Sequence, residues 1–192
     1  KPSGIDYAVL RPADMVVTDF DGRVLDSARR PSTDLPTHLE LYRAFPDVGG
    51  VVHTHSPHAT ACAQAGWAVP CLGTTHADYT GGPVPVVPPL GARAIRTAYE
   101  RETGRAIVRA LRRQRRRPLD CPFALVTHHG PFAWGRTAAA AVEHAVALET
   151  ICRMAILTRQ LEPRCGAIPA ALRRKHYARK HGRAAYYGQT HA

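Results

Sequence analysis

Long apolar runs are missing from this 192-residue sequence, and so are several patterns that mark specialised classes of protein. No stretch approaches the roughly 20 consecutive apolar residues that a membrane-spanning helix needs, and the opening does not resemble a signal peptide. The five cysteines are odd in number and show no Cys-x-x-Cys spacing, which favours reduced, mostly buried thiols over a disulfide framework. We therefore expect a cytoplasmic protein of one domain over residues 1–192, without a membrane partner.

Acidic residues are scarce in the second half of the chain. Residues 1–90 carry six Lys and Arg against nine Asp and Glu, whereas residues 91–192 carry twenty against six. A basic half attracts either nucleic acid or a small anionic substrate. The most basic segment, RRQRRR at 112–117, follows a predicted helix over 103–111, where cations interact favourably with the helix dipole. Because no aromatic residues are interleaved with it, we interpret it as a solvated helix end and expect no nucleic-acid partner.

A histidine pair follows an apolar segment near residue 50. Residues 49–52, GGVV, are typical of the start and body of a buried strand. His53 and His55 are two positions apart, so in a strand they point to the same face, with Cα atoms roughly 6.5–7 Å apart. Two imidazoles placed in this way can converge on one metal ion. The same pattern also occurs as two polar residues on an exposed strand face.

A second apolar segment also ends in histidine. Residues 123–127 predict a strand, and His128 and His129 follow it before Gly130-Pro131 closes the segment. Two strand ends that both carry histidine suit a catalytic zinc with three nitrogen ligands and open positions for substrate. The two motifs together favour a metal site over exposed polar residues.

The remaining segments mix strands and helices irregularly. Asp21-Gly22 predicts a hairpin turn between 15–20 and 24–25, and 74–79 predicts a loop. Further strands are predicted over 48–55, 69–73 and, at a sheet edge, 83–89. Further helices are predicted over 34–45, 58–65, 137–159 and from 169 onward. The first of these helices follows residues that are typical N-caps. This mixture favours an α/β fold with helices on the faces of a sheet.

Several motifs along the chain are specific in both residue type and spacing. They are KPSG at 1–4, PSTDLPTH at 31–38, VHTHS at 52–56, GTTHAD at 73–78, HGPFAWG at 129–135, KHY at 175–177 and YYGQ at 186–189. On these motifs the sequence resembles the L-ribulose-5-phosphate 4-epimerase family, within the class II, metal-dependent sugar-phosphate aldolase superfamily. The resemblance covers nearly the whole chain. It implies a class II aldolase-like three-layer α/β/α fold with a central, largely antiparallel sheet.

The resemblance also implies an activity. It is the zinc-dependent epimerisation at C4 of a phosphorylated ketopentose, L-ribulose 5-phosphate, to D-xylulose 5-phosphate in arabinose catabolism. The bond between C3 and C4 breaks as in a retro-aldol reaction and re-forms on the other face of the aldehyde. Zinc serves as the Lewis acid, and Mn²⁺ or Co²⁺ can substitute for it. The metal position maps to His53, His55 and His129 with the acidic neighbour Asp34, while His128 receives no role.

Proton transfer and assembly are implied in the same way. Asp78 and Tyr187 match the family's acid/base pair, and His176 matches a further catalytic residue. A neighbouring subunit lends Tyr187 and His176, so we expect a homotetramer with shared active sites. From the residues alone, Asp34 is equally typical of a helix N-cap and Asp78 of a braced turn. Tyr187 by itself is more typical of an aromatic in a frayed tail.

Phosphate and substrate binding is assigned by the resemblance to residues near the N-terminus. They are Lys1, Ser3, Gly4, Ser32, Thr33 and Asp34, of which Thr33 stands where the family has serine. Because the family carries a further segment before its KPSG motif, we expect a truncated domain that is less active and less stable than an extended chain. Two alternatives are a sibling aldolase that releases the two fragments and an inactive metal-binding remnant.

Overall fold

The computed structural model describes residues 1–183 and 185–186 of the chain. These residues form two compact units. The first consists of Lys1–Pro46 and Leu90–Val108, and the second of Asp47–Pro89 and the described residues from Arg109 onward. The single domain over residues 1–192 stays a prediction. In the described ranges, no helix combines the length and apolar character that crossing a bilayer requires.

The first unit contains the predicted hairpin. Strands β1 (Val17–Thr18) and β2 (Val24–Asp26) pair antiparallel across the turn that contains Gly22, whose φ is 84°. The positive φ explains the glycine, because other L-residues avoid this region. The Asp19 carboxylate accepts hydrogen bonds from two backbone N–H groups of the turn, at 2.8 and 2.9 Å. The hairpin prediction is confirmed.

Two helices complete this unit. Helix α1 (Leu35–Ala44) lies where it was predicted, with Asp34 at its N-cap position. The Asp34 side chain makes no capping hydrogen bond, so the N-cap role for that residue is wrong. The reason is its helical backbone (φ −78°, ψ 0°), whereas a capping side chain needs an extended backbone. Helix α4 (Ala92–Arg113) begins well before the predicted residue 103, has non-helical torsions at Ala98, and contributes residues to both units.

The second unit contains a four-stranded sheet. Its strands are β3 (Gly50–His53), β4 (Val86–Val87), β5 (Phe123–Val126) and β6 (Gly130–Gly135), in the order β3-β6-β5-β4. The β3–β6 and β6–β5 pairs are antiparallel, and β5–β4 is parallel. The sheet is therefore largely antiparallel, with the proline-flanked β4 at an edge as predicted.

Two sequence-based strand predictions in this unit are wrong. Gly130-Pro131 does not close a strand, because it begins the interior strand β6, where the Pro131 carbonyl accepts the Thr54 N–H at 3.5 Å. Residues 69–73 form no strand. Pro70 lacks the N–H that a ladder needs, and Val69 only accepts one hydrogen bond from Val84 N, at 2.9 Å. The predicted loop at 74–79 instead begins with the short helix α3 (Thr74–Ala77).

The other helices of the second unit agree with prediction. They are α2 (Pro57–Gln64), α5 (Ala138–Leu161), which begins after the N-cap Thr137, and α6 (Ala170–His181). Helices α2 and α5 pack against each other and against the sheet. Fully buried Phe123 and Leu125 of the sheet meet Leu148 and Ile151 of α5 in the core. Burial of such side chains contributes about 1.5–3 kcal/mol each.

Glycines let α5 approach the edge of this sheet. Gly50 of β3 and Gly135 of β6 are direct partners across the ladder. A Cβ atom at Gly50 would lie 2.6 Å from Thr137 O, and one at Gly135 would lie 2.7 Å from Ala140 Cβ. Both contacts are closer than real Cβ atoms allow, so only glycine fits here. The start of α5 therefore packs directly on β3, which ends at His53, and on β6, which follows His129.

We expect Gly135→Ala to lower the free energy of unfolding by about 1–3 kcal/mol, because the methyl group must displace the backbone of α5. Urea denaturation followed by circular dichroism measures this. The matched control is Gly166→Ala, since a Cβ at Gly166 has no atom within 4 Å. Equal midpoints for the two variants would contradict this account of the close approach.

Candidate metal centre

The first histidine of the centre is fixed by the β3–β6 pairing. His53 is the last residue of β3 and lies opposite Phe132, on which its ring stacks with centroids 4.1 Å apart. Its Nδ1 atom lies 2.9 Å from Pro131 O. A carbonyl oxygen can only accept, so Nδ1 carries the proton and donates it. The tautomer is thereby set with the lone pair on Nε2, as in metal-ligating histidines.

Three histidines converge at this end of β3. The possible ligand atoms of His53, His55 and His129 all lie within 4.8 Å of one another. The Nε2 atoms of His53 and His55 are 3.1 Å apart. Tetrahedral zinc with Zn–N bonds of about 2.0–2.1 Å places its nitrogens about 3.3 Å apart, so the spacing fits a divalent ion. The prediction that the two histidine-bearing segments converge is confirmed, and the donor set suits zinc-type coordination.

The β5–β6 turn brings the third histidine to the pair. His128 is exposed and has a φ of 61°, the left-handed conformation common in three-residue hairpin loops. His129 follows it and donates its backbone N–H to Val126 O, at 3.0 Å. A Cβ atom at Gly130 would lie 3.0 Å from Thr54 O and 3.5 Å from the His53 ring. Glycine at position 130 therefore leaves room for the imidazole rings. His128 is not part of the histidine triad.

A carboxylate from α5 holds the segment that follows His55. Glu149 accepts hydrogen bonds from the backbone N–H groups of His58 and Ala59, at 3.0 and 2.9 Å, and from His58 Nδ1 at 2.6 Å. These N–H groups are the unsatisfied donors at the start of α2. Partial burial raises the pKa of Glu149, but the bonds from Ala59 and His58 outweigh it and hold that pKa below its usual value. Sequence reasoning missed Glu149, because 91 positions separate it from His58.

Asp78 lies in a second cluster, together with α6. Its Oδ1 atom is 3.2 Å from His176 Nδ1, and Arg179 donates to both carboxylate oxygens, at 3.1 and 2.7 Å. Burial raises the pKa of Asp78, but Arg179 and His176 outweigh it and lower that pKa. Within the described residues, none of the hydrogen bonds to this carboxylate comes from the histidine triad.

One partner in this second cluster is a predicted site residue. His176 contacts Asp78 within the same chain, and its role across a subunit interface stays a prediction. Arg179 and His181, which contacts Asp78 O at 2.8 Å, were not predicted. The only signal for them was the basic character of α6. Tyr187 lies outside the described residues.

The predicted phosphate-binding residues lie in the first unit, as does Asp34. Ser3 donates its backbone N–H to Arg30 O at 2.9 Å, and Pro2 forms a bridge with Pro31, so segments 1–4 and 30–34 lie side by side. Gly4 has a φ of 72°, while Ser32 Oγ accepts the Asp34 N–H at 3.2 Å. Thr33 is exposed, and Lys1 Nζ donates to Ile5 O at 2.9 Å. The structure thus brings these residues together.

A mixed sheet packed against helices, with two histidines at the end of β3 and a third in the β5–β6 turn, defines an α/β domain with a candidate metal centre. Residues 1–156 match the family model for the class II aldolase and adducin N-terminal domain. The chain belongs to this family, and the predicted class II aldolase-like fold is confirmed.

Solved structures share the fold. An L-fuculose 1-phosphate aldolase matches with a TM-score of 0.73 and 21% identity over 91% of this chain and 76% of its own. L-fuculose 1-phosphate aldolase from Glaciozyma antarctica PI12 matches with a TM-score of 0.73 and 19% identity over 97% and 68%. YgbL from Escherichia coli, a candidate aldolase/epimerase/decarboxylase, matches with a TM-score of 0.64 and 25% identity over 91% and 78%.

Glu149→Gln tests the electrostatic part of the α2 contact. A lowered pKa means that the carboxylate stabilises the fold above its unfolded pKa of about 4.3 and loses this effect as pH falls through the folded pKa. We expect the variant to be about 1 kcal/mol less stable at pH 7. The expected loss is small because the carboxylate is partly exposed and solvent screens its charge. The difference should shrink as pH falls from about 5 to about 3.

Urea denaturation at a series of pH values measures this difference, with Glu143→Gln, an exposed position on the same helix, as the control. A difference that is constant across the pH range would show that the Glu149 charge contributes nothing.

Proposed function

We propose that this protein is a metal-dependent sugar-phosphate epimerase, specifically an L-ribulose-5-phosphate 4-epimerase. Membership of the class II aldolase family supports aldol-type chemistry at a divalent metal. The single observation that carries the proposal on this chain is the convergence of His53, His55 and His129. The motifs that carry the resemblance, including YYGQ at 186–189, favour the epimerase branch.

In this proposal the metal is bound by the three imidazoles, with Asp34 as the acidic neighbour. Zinc, when bound, supplies the Lewis acidity that polarises the ketose carbonyl and stabilises negative charge next to it. The protein fixes the ligands beforehand, since Pro131 O sets the tautomer of His53 and Glu149 fixes the start of α2 just after His55. Open coordination positions are left for the substrate oxygens.

Proton transfer falls to Asp78 and Tyr187, with His176 beside Asp78. A carboxylate that receives hydrogen bonds from Arg179 and His176 is stabilised in its ionised form. Asp78 is therefore unprotonated at neutral pH, which is the state that a proton acceptor for a C4 hydroxyl must have, and Tyr187 serves the opposite face. We propose that Tyr187 comes from a neighbouring subunit in a homotetramer.

Substrate phosphate is bound in this proposal by the N-terminal residues already brought together, namely Lys1, Ser3, Gly4, Ser32 and Thr33. Hydroxyl groups, backbone N–H groups and a lysine are suitable donors to a phosphate dianion. Such a remote group orients the sugar and contributes binding energy to the reaction at C3 and C4.

A second candidate is an aldolase that releases both fragments. It is favoured by the solved L-fuculose 1-phosphate aldolases that share the fold. The two candidates use the same metal site and differ in whether the aldehyde leaves before the carbon–carbon bond re-forms.

We expect the purified protein to hold about one divalent metal ion per chain, as a three-imidazole site implies. His55→Ala should bind zinc far more weakly than the wild type. Loss of a residue that only hydrogen-bonds to a metal ligand lowers metal affinity roughly 10–100-fold, and loss of a ligand should lower it by more. Elemental analysis and competition with a chromogenic chelator measure this. The matched control is His128→Ala, which removes a neighbouring exposed imidazole outside the triad. Equal metal content in the two variants would exclude the site.

Product analysis separates the two enzymes. With L-ribulose 5-phosphate, an epimerase forms D-xylulose 5-phosphate, whereas an aldolase accumulates glycolaldehyde phosphate and dihydroxyacetone. We expect the epimer, and a loss of about 10²–10⁴-fold in kcat/KM for Asp78→Asn, since a general base contributes that much. NMR of the reaction mixture identifies the products. If the zinc-loaded protein left this substrate unchanged, the epimerase proposal would fail.

A further inference from the structure

Helix α4 ends in an unusual residue. Arg115 has a φ of 51°, a left-handed conformation that L-residues with long side chains rarely adopt. Arg115 N–H donates to Arg112 O and Arg116 N–H donates to Leu111 O, both at 3.0 Å. This pair of bonds is the Schellman motif, in which glycine normally occupies the left-handed position. The chain therefore places an arginine where glycine would fit with less strain, which is typical of functional sites.

The strained turn borders a small cavity of about 240 Å³ in the second unit. Seven residues line it: Thr80, Gly81, Gly82, Arg115, Arg116, Asp120 and Tyr177. A group the size of phosphate fits such a volume. The lining combines two guanidinium groups, a hydroxyl, a phenol and two glycines, which let a ligand come close to the backbone.

One of the two guanidinium groups is rigidly held. Arg116 Nη1 donates to Pro83 O at 2.8 Å and contacts the buried Cys121 Sγ at 3.2 Å. A Cβ atom at Gly82 would overlap Arg116 Nη2, so glycine at that position makes room for the side chain. Arg116 is thus partly buried and fixed, whereas the other residues of the 112–117 segment are exposed, as expected for a solvated helix end.

The cavity carries an excess of positive charge. Asp120 is the one acidic residue among the described residues that line the cavity, and it accepts two hydrogen bonds from Arg117, at 2.8 and 3.1 Å. Burial and the Asp120 carboxylate raise the pKa of Tyr177 to about 12, so its hydroxyl keeps its proton. Over residues 1–183 and 185–186, the Arg115 guanidinium makes no hydrogen bond or ion pair.

We propose that this cavity binds a phosphoryl group, either as free phosphate or as a phosphate monoester, through Arg115 and Arg116. Arginine forks match two phosphate oxygens at once, which makes them better suited to this ligand than lysine. None of the residues that line the cavity is among the phosphate-binding residues proposed for the substrate. The site therefore does not depend on the proposed function.

Isothermal titration calorimetry with inorganic phosphate and with glycerol 3-phosphate tests the proposal on the full chain. Arg115→Gly should weaken binding at this site about 10- to 100-fold, the effect of one charge-assisted hydrogen bond. The same variant should melt at a higher temperature than wild type, because glycine relaxes the left-handed turn. The matched control is Arg113→Ala, which removes an equal charge from an exposed helical position outside the cavity and should bind within about two-fold of wild type.

Each result decides the question. Weaker binding by Arg115→Gly, together with a raised melting temperature, supports the site, and the tighter of the two probes identifies free phosphate or a monoester as its ligand. Ser32→Ala should leave the Arg115-dependent binding unchanged, since it belongs to the other proposed site. Binding by Arg115→Gly equal to that of Arg113→Ala would overturn the proposal. If Arg115→Gly failed to fold, Arg115→Asn, which tolerates the same backbone, would take its place under the same criteria.

Discussion

The antiparallel pairing of β3 with β6 is the interaction on which the candidate centre depends. It places His53 opposite Phe132 and next to Pro131 O, and so sets both the position and the tautomer of the ring. The same two strands form the close contact with α5, because both have glycine at the paired position 50/135. A displacement of either strand would therefore change the core and the candidate metal ligands together. The backbone hydrogen bonds between β3 and β6 therefore position both the contact with α5 and the candidate metal ligands.

Two carboxylates in this unit are stabilised by very different partners. Glu149 of α5 accepts hydrogen bonds from backbone N–H groups at the start of α2, and helix α2 fixes the positions of these groups. Asp78 binds the side chains of α6, which have more conformational freedom. Both groups have lowered pKa values, which means that their contacts favour the ionised form of each carboxylate. This difference is consistent with assigning stability to Glu149 and reactivity to Asp78.

The sequence predicted those parts of the molecule that depend on local patterns. The Asp21-Gly22 hairpin, most helices and the convergence of His53 and His55 follow from turn chemistry and from periods of two or 3.6 residues. Strand β6 was missed because Pro131 usually ends a strand, and its place inside the sheet depends on partners far away in the chain. Glu149 and Arg179 were missed for the same reason. Their roles are set by tertiary contacts that no local spacing encodes.

The order in which this sheet can form follows from its connectivity. Strands β5 and β6 are joined by a short turn, whereas His53 and Pro131 are separated by 78 positions. Local hairpins close quickly, and pairing across a long loop carries a larger entropic cost and comes later. We therefore expect His129 to take its place before His53 and His55 reach it. An ion that needs all three imidazoles recognises only the completed sheet, so its binding free energy adds directly to the stability of the native state.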